Sequence, residues 1–301
     1  MKKKLNHFLD LDQINTKTIK ALLASGHKLK KSKISKKYLH KKILAMIFEK
    51  PSTRTRVSFE IGMKQLYGEV ITLDQNDTQL GRGESIEDTI KVISKYVDVI
   101  MYRGSSQDRL DEIVCASDVP IINGLTDKSH PCQIMADLMT IEEKYKSLDG
   151  LNIVWVGDGN NVCNSWIHAS KHFDFKLKIS CPKDFFPKDE EIKGGNNIQT
   201  FDDPLKAVKN ADVVVTDTWV SMGMADEKER LKKFKGFQVN EKLMSIAKPT
   251  SIFLHCLPAH RGSEVSSEVI DGKQSLVWIE AHNRLFVQKA ILIWCLDVGD
   301  E

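Results

Sequence analysis

Ile43-Leu44-Ala45-Met46-Ile47 runs directly into Phe48-Glu49-Lys50-Pro51-Ser52-Thr53-Arg54-Thr55-Arg56, and this junction decides the fold. The apolar run reads as a buried strand. Beyond the junction, Val57, Ile61 and Leu66 recur at helical spacing, with Glu60, Lys64 and Gln65 between them. A polar turn therefore joins a strand to a helix. The first turn of a helix carries unpaired backbone N–H groups and the positive end of the dipole, which together favour an anion. Ser52, Thr53 and Thr55 add hydroxyl donors, and Arg54 and Arg56 add forked cations that match phosphate oxygens. An ordinary Ser N-cap followed by solvated arginines is the plain alternative. Three hydroxyls and two guanidiniums within five residues favour the anion site.

Outward from the junction, the pattern alternates. Residues 5–42 read as helix, with Asn15 or Thr16 as N-cap ahead of Ile19, Leu22 and Leu23. Gly68–Leu73 reads as the next strand, 77–85 as a glycine-punctuated loop, and Ile86–Lys95 as a helix. The strand Val97–Tyr102, a helix near 107–116, the strand Val119–Asn123 and a helix marked by Ile134, Leu138 and Ile141 follow. Alternation restarts at Leu151–Val156, with further strands predicted at Leu177–Ser180, Asp212–Thr216 and Ser251–His255. Strands alternating with helices call for parallel sheets covered on both faces. The prediction is α/β with two doubly wound domains, 1–148 and 149–301, and a terminal amphipathic helix at Leu285–Leu296.

Composition narrows the function classes. The length of 301 residues suits two domains of about 150. A net charge of +3 gives no global argument for nucleic acid, and the excess of lysines at Lys2–Lys4 and Lys28–Lys42 reads as a solvated helix face. No apolar run approaches the roughly 18 residues of a membrane span, and the start of the chain lacks a signal-peptide core. Six cysteines without a C-x-x-C fit free thiols in a reducing cytoplasm.

Several polar motifs sit where strands end, which is where open α/β sheets bind ligands. Arg103 follows Val97–Tyr102. His130-Pro131-Cys132-Gln133 offers an imidazole donor and an amide. Gly157-Asp158-Gly159-Asn160-Asn161 invites a dinucleotide reading, but Val162 stands where the third glycine belongs and no acidic residue clearly ends the next strand. Asp217-Thr218-Trp219-Val220-Ser221-Met222-Gly223 suits the α-ammonium and α-carboxylate of an amino acid. Phe253-Leu254-His255-Cys256-Leu257-Pro258 carries a cysteine at a strand end, a position where cysteines are often merely buried.

The stretch F-E-K-P-S-T-R-T-R resembles the carbamoyl-phosphate signature of the transcarbamylases, the aspartate and ornithine carbamoyltransferases. H-P-x-Q resembles a second motif of that family, and S-M-G and H-C-L-P resemble marks of its ornithine branch. The resemblance covers the whole chain. It implies carbamoyl transfer from carbamoyl phosphate to the δ-amine of L-ornithine, giving citrulline and phosphate. It implies that Ser52, Thr53, Arg54, Thr55, Gln79, Arg103, His130, Gln133 and Arg284 hold carbamoyl phosphate. Asn161, Asp217, Ser221, Met222, Cys256 and Leu257 hold ornithine, and Arg54, Thr55, Arg103, His130 and Cys256 act in the reaction. It further implies a homo-oligomer, a trimer in which loop 77–85 reaches a neighbouring site, and a terminal helix (284–298) that returns to the first domain, so that two helices link the domains. Direct attack by an amine needs neither metal nor cofactor, and the sequence shows no clustered metal ligands. Another acceptor amine, such as putrescine, is the alternative within the family; it would not need the Asn161, Asp217 and Ser221-Met222 set.

Overall fold

The computed structural model describes residues 5–31, 36–74, 83–220 and 227–298. The chain divides into two compact units, one formed by Met1–Ala136 with Asn283–Glu301 and the other by Asp137–His282.

The first unit contains α1 (Thr16–Lys31), β1 (Ile43–Phe48), α2 (Thr53–Gln65), β2 (Glu69–Asp74), α3 (Ile86–Ile93), β3 (Val99–Arg103), α4 (Gln107–Ala116), β4 (Ile121–Leu125) and the start of α5 (Pro131–Tyr145). Its four strands are parallel, in the order β2-β1-β3-β4. Side chains alternate between the faces of a strand, so Ala45, Ile47, Ile100 and Tyr102 meet Ile86, Ile90, Leu110 and Ile113 in one core. Leu44, Met46 and Met101, on the opposite face, are equally buried. Burial on both faces explains why these strands read as continuous apolar runs.

The second unit contains β5 (Asn152–Val156), α6 (Asn161–Ala169), β6 (Lys176–Ser180), α7 (Asp189–Gly194), β7 (Ile198–Phe201), α8 (Pro204–Ala207) and β8 (Val213–Thr216). It continues with α9 (Glu227–Lys233), α10 (Glu241–Met244), β9 (Ile252–His255), α11 (Ser267–Ile270) and the start of α12 (Val277–Cys295). Five parallel strands run in the order β7-β6-β5-β8-β9. The chain passes between the units twice, within α5 and within α12.

Both strand orders reverse direction once. In the first sheet the chain works outward from β1 to β2 and then returns to β3 on the other side of β1. In the second it works outward from β5 to β7 and returns to β8. Crevices outside the carboxyl ends of the strands at such reversals are where open α/β sheets bind ligands. The turn after β1 and Arg103 at the end of β3 flank one reversal; Gly157–Asn160 after β5 and Asp217 after β8 flank the other.

Three expectations need correction. Residues 5–14 are not α-helical, holding only a short 3-10 turn at Leu11–Gln13, and residues 36–42 are turn and irregular rather than helix. Phe8 is fully buried and bridges Ile122, with its N–H donating to the Ile121 carbonyl (2.8 Å) and its carbonyl accepting from Asn123 N (2.8 Å). Asn15 does cap, its Oδ1 accepting from Thr18 N at 2.9 Å. The edge strand β7 escaped detection because Ile-Gln-Thr-Phe is half polar. The last helix begins at Val277 rather than Leu285, because buried Glu280, Asn283 and Arg284 interrupt the apolar spacing of its first turns.

Candidate functional site

In the first unit Ser52 occupies the N-cap of α2 with extended backbone (φ −155°, ψ 106°) and makes no side-chain capping bond. Its hydroxyl is thus not spent as an ordinary cap. Thr55, one turn into the helix, is buried. Its Oγ1 accepts from Arg103 Nη1 at 2.9 Å and from Arg284 Nη2 at 2.9 Å. A hydroxyl oxygen has two lone pairs and one hydrogen. With both lone pairs facing guanidiniums, the Thr55 O–H is polarised and left to donate. Arg284 is 3% exposed and also donates through Nη1 to Gln133 Oε1. The same nitrogen lies 3.4 Å from His130 Nε2. A guanidinium only donates, so Nε2 accepts and the imidazole proton resides on Nδ1.

His130 is held neutral: burial first, then the charges of Arg284, Arg103 and Arg54, push its pKa well below the ordinary histidine value. Arg54 is half-buried, and its charge reaches the imidazole. Arg56, grouped with the anion set in the sequence, instead pairs with Asp74 at 3.2 Å on an exposed face. Thr53 is exposed at the start of α2. One lone pair of the Gln133 carbonyl, expected to receive a substrate N–H, is taken by Arg284. Gln79 and residues 77–82 of the loop lie outside the described residues; Ser85 caps α3, accepting from Asp88 N at 3.1 Å.

In the second unit Asp217 follows β8 and is 9% exposed. Asn160 Nδ2 donates to its Oδ2 at 2.8 Å and Cys256 Sγ donates to its Oδ1 at 2.9 Å. Asn160 is also the N-cap of α6, its Oδ1 accepting from Val162 N and Cys163 N. The amide thereby couples the helix start to the carboxylate. Burial, and then the Asp217 charge and hydrogen bond, hold the Cys256 thiol well above its ordinary pKa, so the sulfur stays protonated at neutral pH. Leu257 adopts φ 57° in the left-handed region, and its N–H donates to His255 Nδ1 at 2.9 Å. His255 is fixed in turn: its Nε2 faces Glu264 Oε1 at 3.2 Å and its backbone N–H donates to Glu280 Oε2 at 3.0 Å. Ligand-capable atoms of Asp217, His255 and Cys256 lie within 4.8 Å of one another, a grouping the separated sequence positions do not display. Asn161 opens α6 beside Asn160, and Ser221 and Met222 lie outside the described residues.

Two groups at this site were not legible in the sequence. The sequence pointed to Asn161, whereas the side chain that bonds Asp217 is that of its neighbour Asn160; the Asx-before-helix pattern was the available signal. Arg230 on α9 ion-pairs with Asp158, donates to the Trp219 carbonyl, and lies over the Phe185 ring (4.6 Å). Burial raises the Asp158 pKa to about 6, with Asp217 adding to the rise and Arg230 opposing it. No local pattern announces a pair 72 residues apart.

Residues 6–143 match the carbamoyl-P binding domain of aspartate/ornithine carbamoyltransferase, and residues 149–295 match its Asp/Orn binding domain. The chain belongs to the aspartate/ornithine carbamoyltransferase family. Its relatives include the ornithine carbamoyltransferase of Rhodopseudomonas palustris (strain BisA53), 52% identical over 96% of each chain. That of Nitrobacter winogradskyi is 50% identical over 99% of this chain and 100% of the relative. Among solved structures, ornithine carbamoyltransferase from Pyrococcus furiosus is similar with a TM-score of 0.92 at 44% identity, covering 97% of both chains. The anabolic enzyme from Campylobacter jejuni has a TM-score of 0.92 at 42% identity, covering 97% of this chain and 99% of that one. Both transcarbamylase domains are thus represented along nearly the full length, in the family's order.

Proposed function

We propose that this transcarbamylase moves the carbamoyl group of carbamoyl phosphate to the δ-amine of L-ornithine, releasing citrulline and phosphate. The observation that carries the reading is the convergence of Arg103 and Arg284 on buried Thr55 in the first turn of α2. Ser52, Thr53, Arg54, Thr55, Arg103 and the helix terminus hold the phosphate, with Gln79 joining them. Thr55, Arg103 and His130 face the carbamoyl oxygen, while Gln133 and Arg284 complete its surroundings. As the amine attacks, charge gathers on that oxygen, and donors already fixed in place stabilise it without reorganising; one such donor is worth about 2.7–4 kcal/mol. His130 serves as a neutral donor, so no proton must leave it. The phosphate departs with its charge balanced by the arginines.

The acceptor amine should resemble lysine, with a pKa of about 10.4, so its neutral form costs roughly 4.6 kcal/mol at pH 7. Asp217, Asn161, Ser221 and Met222 hold the α-amino-acid end. The Cys256 sulfur and the Leu257 carbonyl receive the δ-nitrogen's hydrogens. A thiol kept protonated is a poor nucleophile, which supports direct attack over an acyl-enzyme. The first domain (1–148) would bind carbamoyl phosphate and the second (149–301) ornithine. The names of the relatives support ornithine as acceptor.

Citrulline as product places the reaction in arginine metabolism. All six cysteines are free, which suits the reducing cytoplasm, and no helix among the described residues is long and apolar enough to cross a membrane. Self-association, as a trimer, is supported by exposed apolar side chains on α2 and on the edge strand β2: Val57, Ile61 and Ile71. Sedimentation should return three times the chain mass. Citrulline formation with ornithine, putrescine and aspartate offered in parallel tests the activity; turnover with ornithine alone is expected, and a preference for putrescine overturns the acceptor assignment.

A further inference from the structure

A carboxylate beside an anion-binding turn demands an explanation, since an unpaired negative charge there opposes the ligand. Glu49 is such a residue, three positions before Ser52, and its side chain is 11% exposed. Both carboxylate oxygens are engaged: Tyr102 Oη donates to Oε2 at 2.8 Å, and Arg109 Nη1 donates to Oε1 at 2.5 Å. The Glu49 N–H donates to the Arg103 carbonyl at 2.9 Å. One residue therefore ties the β1–α2 turn to β3 through side chain and backbone, and to α4 through Arg109.

Tyr102 and Arg103 are consecutive in β3, so their side chains leave opposite faces of the sheet. Tyr102 grips the turn from one face while Arg103 reaches Thr55 from the other. Gly104 closes the arrangement. A Cβ there would lie 2.0 Å from the Tyr102 hydroxyl oxygen and 2.4 Å from Glu49 Oε2. Because the Tyr102 ring is fully buried, it has no room to yield. Glycine is thus needed for close approach rather than for an unusual φ.

We propose that Glu49, locked by Tyr102 and Arg109, is a positioning residue that sets the spacing between the phosphate turn and Arg103. It touches no substrate and works through Arg103 and Thr55. The inference rests on the carbamoyl-phosphate reading of this site and adds the device that keeps the site in register. Small misplacements of catalytic groups are costly, with 1 Å worth about 10²-fold in rate.

The test is Tyr102→Phe, which removes one hydroxyl and leaves the buried ring. Its KM for carbamoyl phosphate should rise about tenfold, with the KM for ornithine within about twofold and the melting temperature nearly unchanged. Glu49→Ala should behave alike, Glu49→Gln should be milder because an acceptor survives, and Tyr102→Phe combined with Glu49→Ala should be no worse than Glu49→Ala alone. An unchanged carbamoyl-phosphate KM, or fully additive effects, overturns the proposal. Should Tyr102→Phe not fold, Arg109→Ala on the partly exposed face of α4 takes its place, with a several-fold rise expected and no rise overturning. Inorganic phosphate binding by calorimetry is measured on the same proteins. If the wild type binds phosphate yet forms no citrulline, the function reading fails. The positioning role is then judged by whether phosphate affinity weakens in the variants.

Discussion

The two candidate sites, one in each unit, obey one topological rule and opposite electrostatics. Each lies at the carboxyl ends of parallel strands where the strand order reverses. In the first unit the reversal is lined by guanidiniums that brace one another through Thr55, Gln133 and a neutral His130. In the second it is lined by a carboxylate, Asp217, steadied by an amide and a thiol. Topology thus fixes where a ligand sits, and a handful of side chains at the strand ends decides its charge.

The comparison breaks first at Arg54. Arg54→Ala should lower turnover by about 10²–10³-fold while leaving the melting temperature within a few degrees, because the side chain is only half-buried. Near-normal turnover in the purified variant would remove the first unit's claim to the phosphate. Asp217→Asn should raise the ornithine KM by about 10- to 100-fold, the worth of a charge-assisted hydrogen bond, and leave phosphate binding by calorimetry untouched; weakened phosphate binding would erase the division of labour. Cys256→Ser preserves a donor toward Asp217 and should cost only about fivefold in kcat/KM, whereas a carbamoyl-thioester trapped on Cys256 would sink direct attack.

The smallest effect is in pH dependence. His130 has a folded-state pKa well below the ordinary 6.5, so the unfolded chain binds the extra proton first. Its contribution to stability is present above pH 6.5 and lost as the pH falls below that value. His130→Asn should flatten this acid-side loss in melting curves taken between pH 7 and 5. An identical slope in both proteins would mean that the imidazole is not held neutral.

Much of this was legible in the sequence because the signals were local. Ile43–Phe48 is uniformly apolar and buried from Leu44 onward, and the hydroxyls and guanidiniums of Ser52–Thr55 stand together in four residues, although Arg56 beside them turns out to Asp74. What stayed hidden was non-local. Asn160 and Asp217 meet across 57 residues, and Tyr102 and Glu49 across 53. Residues 5–14 have helical-looking content, but buried Phe8 gains more by pairing with β4 than by continuing a helix. At α12 the buried polar residues Glu280, Asn283 and Arg284 erased the periodicity that would have marked the helix start.

Arg284 stands 229 positions downstream of the hydroxyl it grips, near the close of a 301-residue chain. Thr55 therefore takes its two guanidiniums from separate parts of the chain, and a fragment that holds Ser52–Arg56 but stops short of Arg284 keeps the signature motif while losing one of the two donors to that hydroxyl.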